Sequence, residues 1–164
     1  MKIIGIDPGK SGAVAVIDQQ SHSVIFKQIV PTIKVGKSKQ EYDLQGMREI
    51  LLSNSTGSDA KVFIERQQAR PGQGVSSMFT TGKGYGMWLG LCAGLQIPIE
   101  VVSPLSWTKE VLRGVPGEGK GRNILGAKRL FPSVDLRKSE RSRVPHDGIC
   151  DAILIAEYGW RLSR

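Results

Sequence analysis

The sequence has few cysteines and histidines, and this shortage excludes several classes of protein. It contains two cysteines and two histidines among 164 residues, with neither a CxxC pair nor the spacing of a zinc site. A disulfide scaffold and a zinc site are therefore excluded. No run of about 18 apolar residues occurs, and the N-terminus lacks a basic segment followed by a long apolar stretch. We expect a soluble protein in a reducing compartment, without a membrane partner.

Length and composition favour one ordered domain. The 164 residues are 40 % hydrophobic, and the 20 glycines are spread along the chain rather than collected in a low-complexity tract. No internal repeat divides the sequence. We therefore expect residues 1–164 to form a single domain.

Basic residues outnumber acidic ones, and the excess is local. The chain has 23 Lys and Arg against 15 Asp and Glu, a formal net charge of +8. Most of the excess lies between residues 120 and 143, in Lys120, Arg122, Lys128, Arg129, Arg137, Lys138, Arg141 and Arg143. A polyanionic partner explains this concentration, and a solvated basic surface is the alternative.

The N-terminal part of the chain reads as a β-meander. Short β-rich runs at 2–7, 13–18 and 24–30 are separated by turn-forming residues, which predicts three consecutive antiparallel strands. Polar residues 31–41 are predicted to be a loop, and apolar residues at helical spacing predict a helix over 43–53.

The remainder of the chain reads as alternating strands and helices. Strands at 61–65 and 97–102 flank a helix over roughly 77–95, an arrangement that favours parallel pairing. Further helices are expected at 104–113, near 121–130 and from Pro145 to Leu162, with a basic loop over 132–144. The prediction is an α/β fold with a mixed five-stranded sheet, three antiparallel strands followed by parallel ones, flanked by helices.

Four carboxylates occupy positions where an unpaired charge is expensive to desolvate. Asp7 ends the first apolar strand, and Glu65 ends the strand at 61–65. Asp147 and Asp151 are four residues apart on the last helix and so share one face, where like charges repel. A pair of Mg²⁺ ions needs such a set of oxygen ligands.

Each carboxylate also has a structural interpretation when it is taken alone. Asp7 could accept hydrogen bonds from the amides of its glycine-rich turn, and Asp147 could stabilise the N-terminus of its helix. Glu65 could pair with Arg66. The metal hypothesis explains the four positions together.

Three segments resemble the RuvC-type Holliday junction resolvases of the ribonuclease H-like superfamily. They are GIDPGKSGAVAVID, VFIERQ and HDGICDAILIA, and they occur in that family's order. GYGMWLG, VSPLSWTKEV, RLFP and HDGICDA are similar to its phage and chloroplast branch. The resemblance spans nearly the whole chain. It implies a ribonuclease H-like fold and a homodimeric endonuclease that makes symmetric nicks in four-way DNA junctions.

The resemblance also assigns site residues. It implies that Asp7, Glu65, Asp147 and Asp151 are catalytic ligands of two Mg²⁺ ions, for which Mn²⁺ can substitute. Many bacterial relatives place the last two acids three residues apart, where this chain has Gly148, so His146 competes with Asp147 for that position. The resemblance further implies that Lys109 and Lys120 stabilise charge near the scissile phosphate, although either could only contact the DNA backbone. No convincing Ser/His/Asp or Cys/His set offers a side-chain nucleophile.

Basic and aromatic residues alternate after Glu65, as expected for phosphate contact and base stacking. Phe79 is the predicted wedge at the junction centre, with core or dimer packing as the alternative. The predicted DNA-binding residues are Arg66, Arg70, Phe79, Lys83, Lys120, Arg122, Arg137, Lys138, Arg141 and Arg143.

Glycines recur every fourth residue on the predicted helix over 77–95. They form a stripe that would weaken the helix unless something packs closely against it: Gly82, Gly86, Gly90 and Gly94. A twofold partner at this stripe is one interpretation, and packing on the protein's own sheet is the other.

Other functions remain open from the sequence. The alternatives are an RNA-processing nuclease of the same superfamily and a non-catalytic junction-binding protein. DPGKSG followed by a hairpin also looks like the phosphate-binding turn of sugar kinases and actin-like ATPases, but those need two such domains. The expected location is the cytoplasm of a bacterium or phage-infected cell, or an organelle stroma after removal of a transit peptide.

Overall fold

The first three strands form the predicted meander. The structure is a computed structural model and describes residues 1–55, 59–69 and 71–164. Its antiparallel strands are β1 (Lys2–Ile6), β2 (Ala13–Asp18) and β3 (Ser23–Ile29). Ile3 and Ile4 point to opposite faces of β1 and both are fully buried, so both faces of the sheet are covered.

A two-stranded hairpin occupies the segment 31–41, where we predicted a loop. Its strands are β4 (Thr32–Val35) and β5 (Lys39–Tyr42), which pair antiparallel. Most of their side chains are exposed, so the segment lacks the apolar alternation that identifies a half-buried strand. The loop prediction is therefore wrong, and Tyr42 at the end of β5 is buried.

Two parallel strands complete the main sheet. They are β6 (Ala60–Glu65), which pairs with β1, and β7 (Ile99–Val102), which pairs with β6. The strand order is β3-β2-β1-β6-β7. The predicted mixed sheet, with three antiparallel strands followed by parallel ones, is confirmed.

Five helices begin and end within two residues of the predicted bounds. They are α1 (Leu44–Ser55), α2 (Val75–Gly94), α3 (Pro104–Val111), α4 (Gly119–Leu130) and α5 (Asp147–Leu162). The Ser103 hydroxyl accepts a hydrogen bond from the Ser106 amide at 3.1 Å and so caps α3. In the part of the chain that the structure describes, no helix is long and apolar enough to cross a membrane.

The helices form one core on each face of the sheet. Residues of α3, α4 and α5 pack on one face, and residues of α1 and α2 pack on the other. Cys150 lies in the first core and Cys92 in the second, so the two buried thiols are separated by the sheet and are both free.

Candidate active site

Two carboxylates lie side by side at one edge of the sheet. Asp7 directly follows β1, and Glu65 is the last residue of β6. The parallel register places Ile6 opposite Ile64, so the next residues along the two strands are Asp7 and Glu65. Parallel pairing therefore brings both acids to the same end of the sheet, as the sequence predicts.

Close backbone packing brings α5 to this edge. A Cβ atom added to Gly5 would lie 2.2 Å from the Ala152 carbonyl oxygen, and one added to Gly148 would lie 2.4 Å from the Ser11 carbonyl oxygen. No side chain fits in either gap, so α5 lies directly on β1 and on the turn after it. Asp147 and Asp151, in the first turns of α5, consequently face the turn that carries Asp7.

These acids line one open cavity of about 610 Å³, here called the acidic pocket. Its wall includes three carboxylates, two lysines and several hydroxyl groups. The lining includes Asp7, Lys10, Tyr42, Ser76, Ser77, Thr80, Thr81, Lys120, Asp147 and Asp151. Glu65 lines an adjoining cavity of about 550 Å³ together with Arg66, and Thr81 borders both cavities.

The acids interact electrostatically as one group. Burial, the largest cause, and the negative charges of Asp151, Glu65 and Asp147 together raise the pKa of Asp7 to about 7, while the Gly9 amide opposes the shift through a hydrogen bond of 3.4 Å. Burial also raises the pKa of Asp151 to about 6, with Glu65 and Asp147 adding to the effect.

Hydrogen-bond donors from α3 and α4 orient three of the acids. Trp107 Nε1 donates to Glu65 Oε2 at 2.8 Å, and Asn123 Nδ2 donates to Asp151 Oδ1 at 2.7 Å. Lys120 forms an ion pair with Asp147 and lowers the pKa of that carboxyl. Sequence analysis missed Trp107 and Asn123 as site residues, although Trp107 lies in the segment VSPLSWTKEV, because the acids that they contact are on distant elements.

The donor set fits a hard divalent cation. Within the described segments, no three His, Cys, Asp or Glu side chains are already grouped as a complete metal site. Instead, the carboxylate oxygens of the site accept hydrogen bonds: Glu65 from Trp107, Asp151 from Asn123 and Asp147 from Lys120. Four carboxylates at one edge supply the oxygen ligands that Mg²⁺ prefers, and a cation would offset both the burial and the like charges that raise the pKa of Asp7.

His146 and Asp147 have different environments. His146 is the N-cap residue of α5, and its Nδ1 accepts a hydrogen bond from the Ile149 amide at 3.4 Å. Asp147 lines the acidic pocket, where it faces Lys120. Its place in the first turn of α5 also suits the dipole of that helix, so both sequence interpretations of Asp147 fit the structure.

Some of the basic residues predicted to bind DNA make contacts within the chain, and others are exposed. Arg122 donates hydrogen bonds to the carbonyl oxygens of Val115 and Leu112, and Arg137 pairs with Asp135 at 2.9 Å. Both side chains therefore make stabilising contacts within the chain. Lys83 pairs with Glu41 of β5. Exposed basic side chains remain at Arg66, Lys109, Lys138, Arg141 and Arg143. Arg70 lies outside the described residues.

Helix α2 presents a bare surface. Among the described residues, and apart from the backbone and chain neighbours of α2 itself, no atom lies within 4 Å of a Cβ position built on Gly82, Gly86, Gly90 or Gly94. The alternative that this stripe packs on the protein's own sheet is therefore wrong, because the stripe faces outward. Phe79 is 71 % exposed on the same helix, which excludes a core role for it within this chain.

Solved structures share this fold. A Thermus thermophilus RuvC in complex with a Holliday junction substrate matches with a TM-score of 0.63 and 14 % identity, over 99 % of this chain and 95 % of that chain. Another T. thermophilus RuvC structure matches with a TM-score of 0.55 and 15 % identity, over 99 % and 97 %. The yeast mitochondrial Holliday junction resolvase Ydc2 matches with a TM-score of 0.61 and 16 % identity, over 96 % and 77 %.

These likenesses confirm the predicted RuvC-type resemblance at the level of the fold. No protein-family profile and no curated relative matches the sequence. The closer similarity to the phage and chloroplast branch stays a prediction.

Proposed function

We propose that this chain is a metal-dependent endonuclease that resolves four-way DNA junctions by paired symmetric nicks. The observation that carries the proposal is the convergence of Asp7, Glu65, Asp147 and Asp151 at one edge of a RuvC-type sheet. One structural neighbour is described in complex with a Holliday junction substrate, and another is described as a junction resolvase. The proposal extends that substrate to this chain.

The four carboxylates would hold two Mg²⁺ ions, with Mn²⁺ as a substitute. When bound, the ions supply an activated water, neutralise charge on the phosphate and stabilise the leaving oxygen. Asp7 is suited to share the ions with the other acids because the charges of Asp151, Glu65 and Asp147 all act on it and raise its pKa. His146, which caps α5, is the alternative ligand to Asp147.

The protein's own groups prepare the site for a phosphate. Trp107 and Asn123 restrict the orientation of Glu65 and Asp151, which reduces the reorganisation needed when the ligands assemble. Lys120 supplies a positive charge at the mouth of the acidic pocket, where a phosphodiester enters. Lys109 is exposed on α3 outside the lining of this pocket, so we assign it to the DNA backbone rather than to the scissile phosphate.

The exposed basic side chains would bind the arms of the junction. Lys138, Arg141 and Arg143 lie in the loop that leads into Asp147 at the start of α5. Phe79 projects from α2 within one turn of the pocket-lining hydroxyls and offers a flat apolar surface for an unstacked base. These contacts predict binding that weakens steeply with salt.

A homodimer would pair two such sites on one symmetric substrate. The bare stripe of Gly82, Gly86, Gly90 and Gly94 allows a second copy of α2 to approach closely. An isolated surface stripe of glycine weakens a helix, so a partner that packs against it accounts for its presence.

A substrate panel tests the proposal. Labelled four-way junction, flap and RNA:DNA hybrid are each incubated with the protein in Mg²⁺ or in EDTA. We expect Mg²⁺-dependent symmetric nicks in the junction alone. Cleavage of the hybrid in preference to the junction would replace the proposal with an RNA-processing nuclease, and tight junction binding without any cleavage would replace it with a binding protein.

A further inference from the structure

Lys10 brings a positive charge to the wall of the acidic pocket. It lies in the turn between β1 and β2, three residues after Asp7, and it lines the pocket together with Tyr42 at the end of β5. Its side chain reaches the hairpin, where Nζ donates a hydrogen bond to the Gln40 carbonyl oxygen at 2.6 Å. Nζ also lies 5.8 Å from the centroid of the Tyr42 ring. The ammonium group is therefore held beside the pocket by contacts with β5.

The charge of Lys10 has no carboxylate partner in the part of the chain that the structure describes. Lys120, the other lysine of the acidic pocket, forms an ion pair with Asp147 instead. The Gln40 carbonyl takes one of the three N–H donors of the Lys10 ammonium group. Two donors and a positive charge therefore remain available to an anion.

The acids of the pocket make such a charge useful to an incoming DNA strand. A phosphate that enters the pocket approaches three negative side chains, those of Asp7, Asp147 and Asp151. The ion pair with Asp147 already engages Lys120. Of the two lysines in the pocket wall, Lys10 is therefore the one whose charge is free to attract the phosphate.

We propose that Lys10 binds a phosphate group of the DNA strand that enters the acidic pocket, on the side of the pocket that the hairpin forms. This inference rests on the proposed function and adds a substrate-binding residue to it. A phosphodiester supplies the negative partner that Lys10 lacks and oxygen acceptors for its two remaining donors. Hydroxyl groups of α2 line the same pocket and offer further hydrogen bonds to the DNA backbone: Ser76, Ser77, Thr80 and Thr81.

The variant Lys10→Met tests the inference, because methionine keeps an unbranched side chain and removes the charge and the donors. In single-turnover cleavage of a labelled junction in Mg²⁺, this variant should need a roughly 10-fold higher protein concentration to reach half its maximal rate. The rate at saturation should stay close to the wild-type rate, since the four acids are unchanged. Lys10→Arg should restore most of the lost affinity, because arginine keeps a positive charge and several donors.

Salt dependence separates a phosphate contact from a purely structural role. Binding is followed by fluorescence anisotropy in Mg²⁺ in the Asp151→Asn background, which should leave the junction intact. Loss of one phosphate contact should reduce the salt slope of binding by about 1 in Lys10→Met. Lys61→Met is the matched control and should leave the slope unchanged. Lys61 is also half-buried, but it pairs with Glu100 and lines neither the acidic pocket nor the cavity that Glu65 lines.

The outcomes for Lys10 and for the proposed function are distinct. An unchanged salt slope and an unchanged half-saturating concentration in Lys10→Met would overturn the inference alone. A lower rate at saturation with an unchanged slope would also overturn it, because Lys10 would then only position the turn that carries Asp7. A wild-type chain that binds junctions and cuts none would overturn the proposed function, and the salt slopes would still decide whether Lys10 contacts a phosphate.

Discussion

Replacing Asp7 with asparagine should make the metal-free protein more stable while abolishing cleavage. Asp7 is buried among three other acids, and the pKa of its carboxyl rises from 3.8 to about 7. A group whose pKa is higher in the folded than in the unfolded state destabilises the fold once it ionises. Asparagine has a similar shape and no charge, so it removes that penalty.

The size of the effect follows from the pKa. A rise from 3.8 to about 7 corresponds to ~4 kcal/mol lost by pH 8, as an upper figure for one group. The NH₂ group of the new asparagine replaces an oxygen that accepted hydrogen bonds, and leaving this donor unsatisfied costs about 1–3 kcal/mol of stability. The expected net gain is about 1–3 kcal/mol. For a chain of 164 residues this raises the melting temperature by roughly 2–10 °C.

The free energy of unfolding should also depend on pH because of these raised pKa values. The pKa values of Asp7 and Asp151, about 7 and about 6, lie above 3.8, so the folded state binds more protons than the unfolded state between about pH 4 and pH 7. The stability contributed by the protonated acids is present below pH 4 and is lost as the pH rises through 7. Asp7→Asn should flatten this decline.

The assay is urea unfolding at pH 5 and pH 8 in EDTA. Asp18→Asn is the matched control, because Asp18 ends β2 at the opposite edge of the sheet, where hydrogen bonds from Ser21 lower the pKa of its carboxyl. That variant should bring no gain in stability. If Asp7→Asn were less stable than wild type at pH 8 without metal, the claim that these acids repel one another would be refuted.

The remaining predictions concern the metal, the stripe, the orienting donors and the DNA surface. Mg²⁺ should raise the melting temperature of the wild type, because a cation relieves the repulsion, and Asp7→Asn should lose that rise. Gly86→Arg, in the open stripe, should convert a dimer seen by light scattering into a folded monomer, whereas a wild-type monomer even on junction DNA would exclude the dimer. Trp107→Phe removes the donor to Glu65 and should lower the cleavage rate about 10-fold, and an unchanged rate would exclude an orienting role. Arg143→Ala should weaken junction binding and reduce its salt slope by about 1, measured by fluorescence anisotropy, and an unchanged slope would place Arg143 off the DNA.

The sequence predicted the acids well because local rules place them. Asp7 and Glu65 end apolar strands, and strand ends can be recognised from hydrophobic runs. Asp147 and Asp151 are four residues apart, so they share a helix face wherever the helix begins. Parallel pairing of β1 and β6 then makes the two strand-end acids neighbours, so predicting their proximity requires only the topology of the sheet.

Other features depend on tertiary contacts that local patterns do not encode. Trp107 and Asn123 received no site role from the sequence, because both contact acids on distant elements. The hairpin of β4 and β5 lacks apolar alternation because it is mostly exposed. The spacing of the α2 glycines indicated close packing, but Gly84, which lies outside the stripe, is the residue that touches the protein's own Tyr42.

The most direct test of the account compares wild type and Asp151→Asn on one labelled four-way junction. Binding and nicking are measured in the same samples, with Mg²⁺ or with EDTA. Wild type should make symmetric nicks only with Mg²⁺, and Asp151→Asn should bind the junction with wild-type affinity and leave it intact. Wild-type nicking in EDTA, or full cleavage by Asp151→Asn, would contradict the claim that these four carboxylates form one metal-dependent active site.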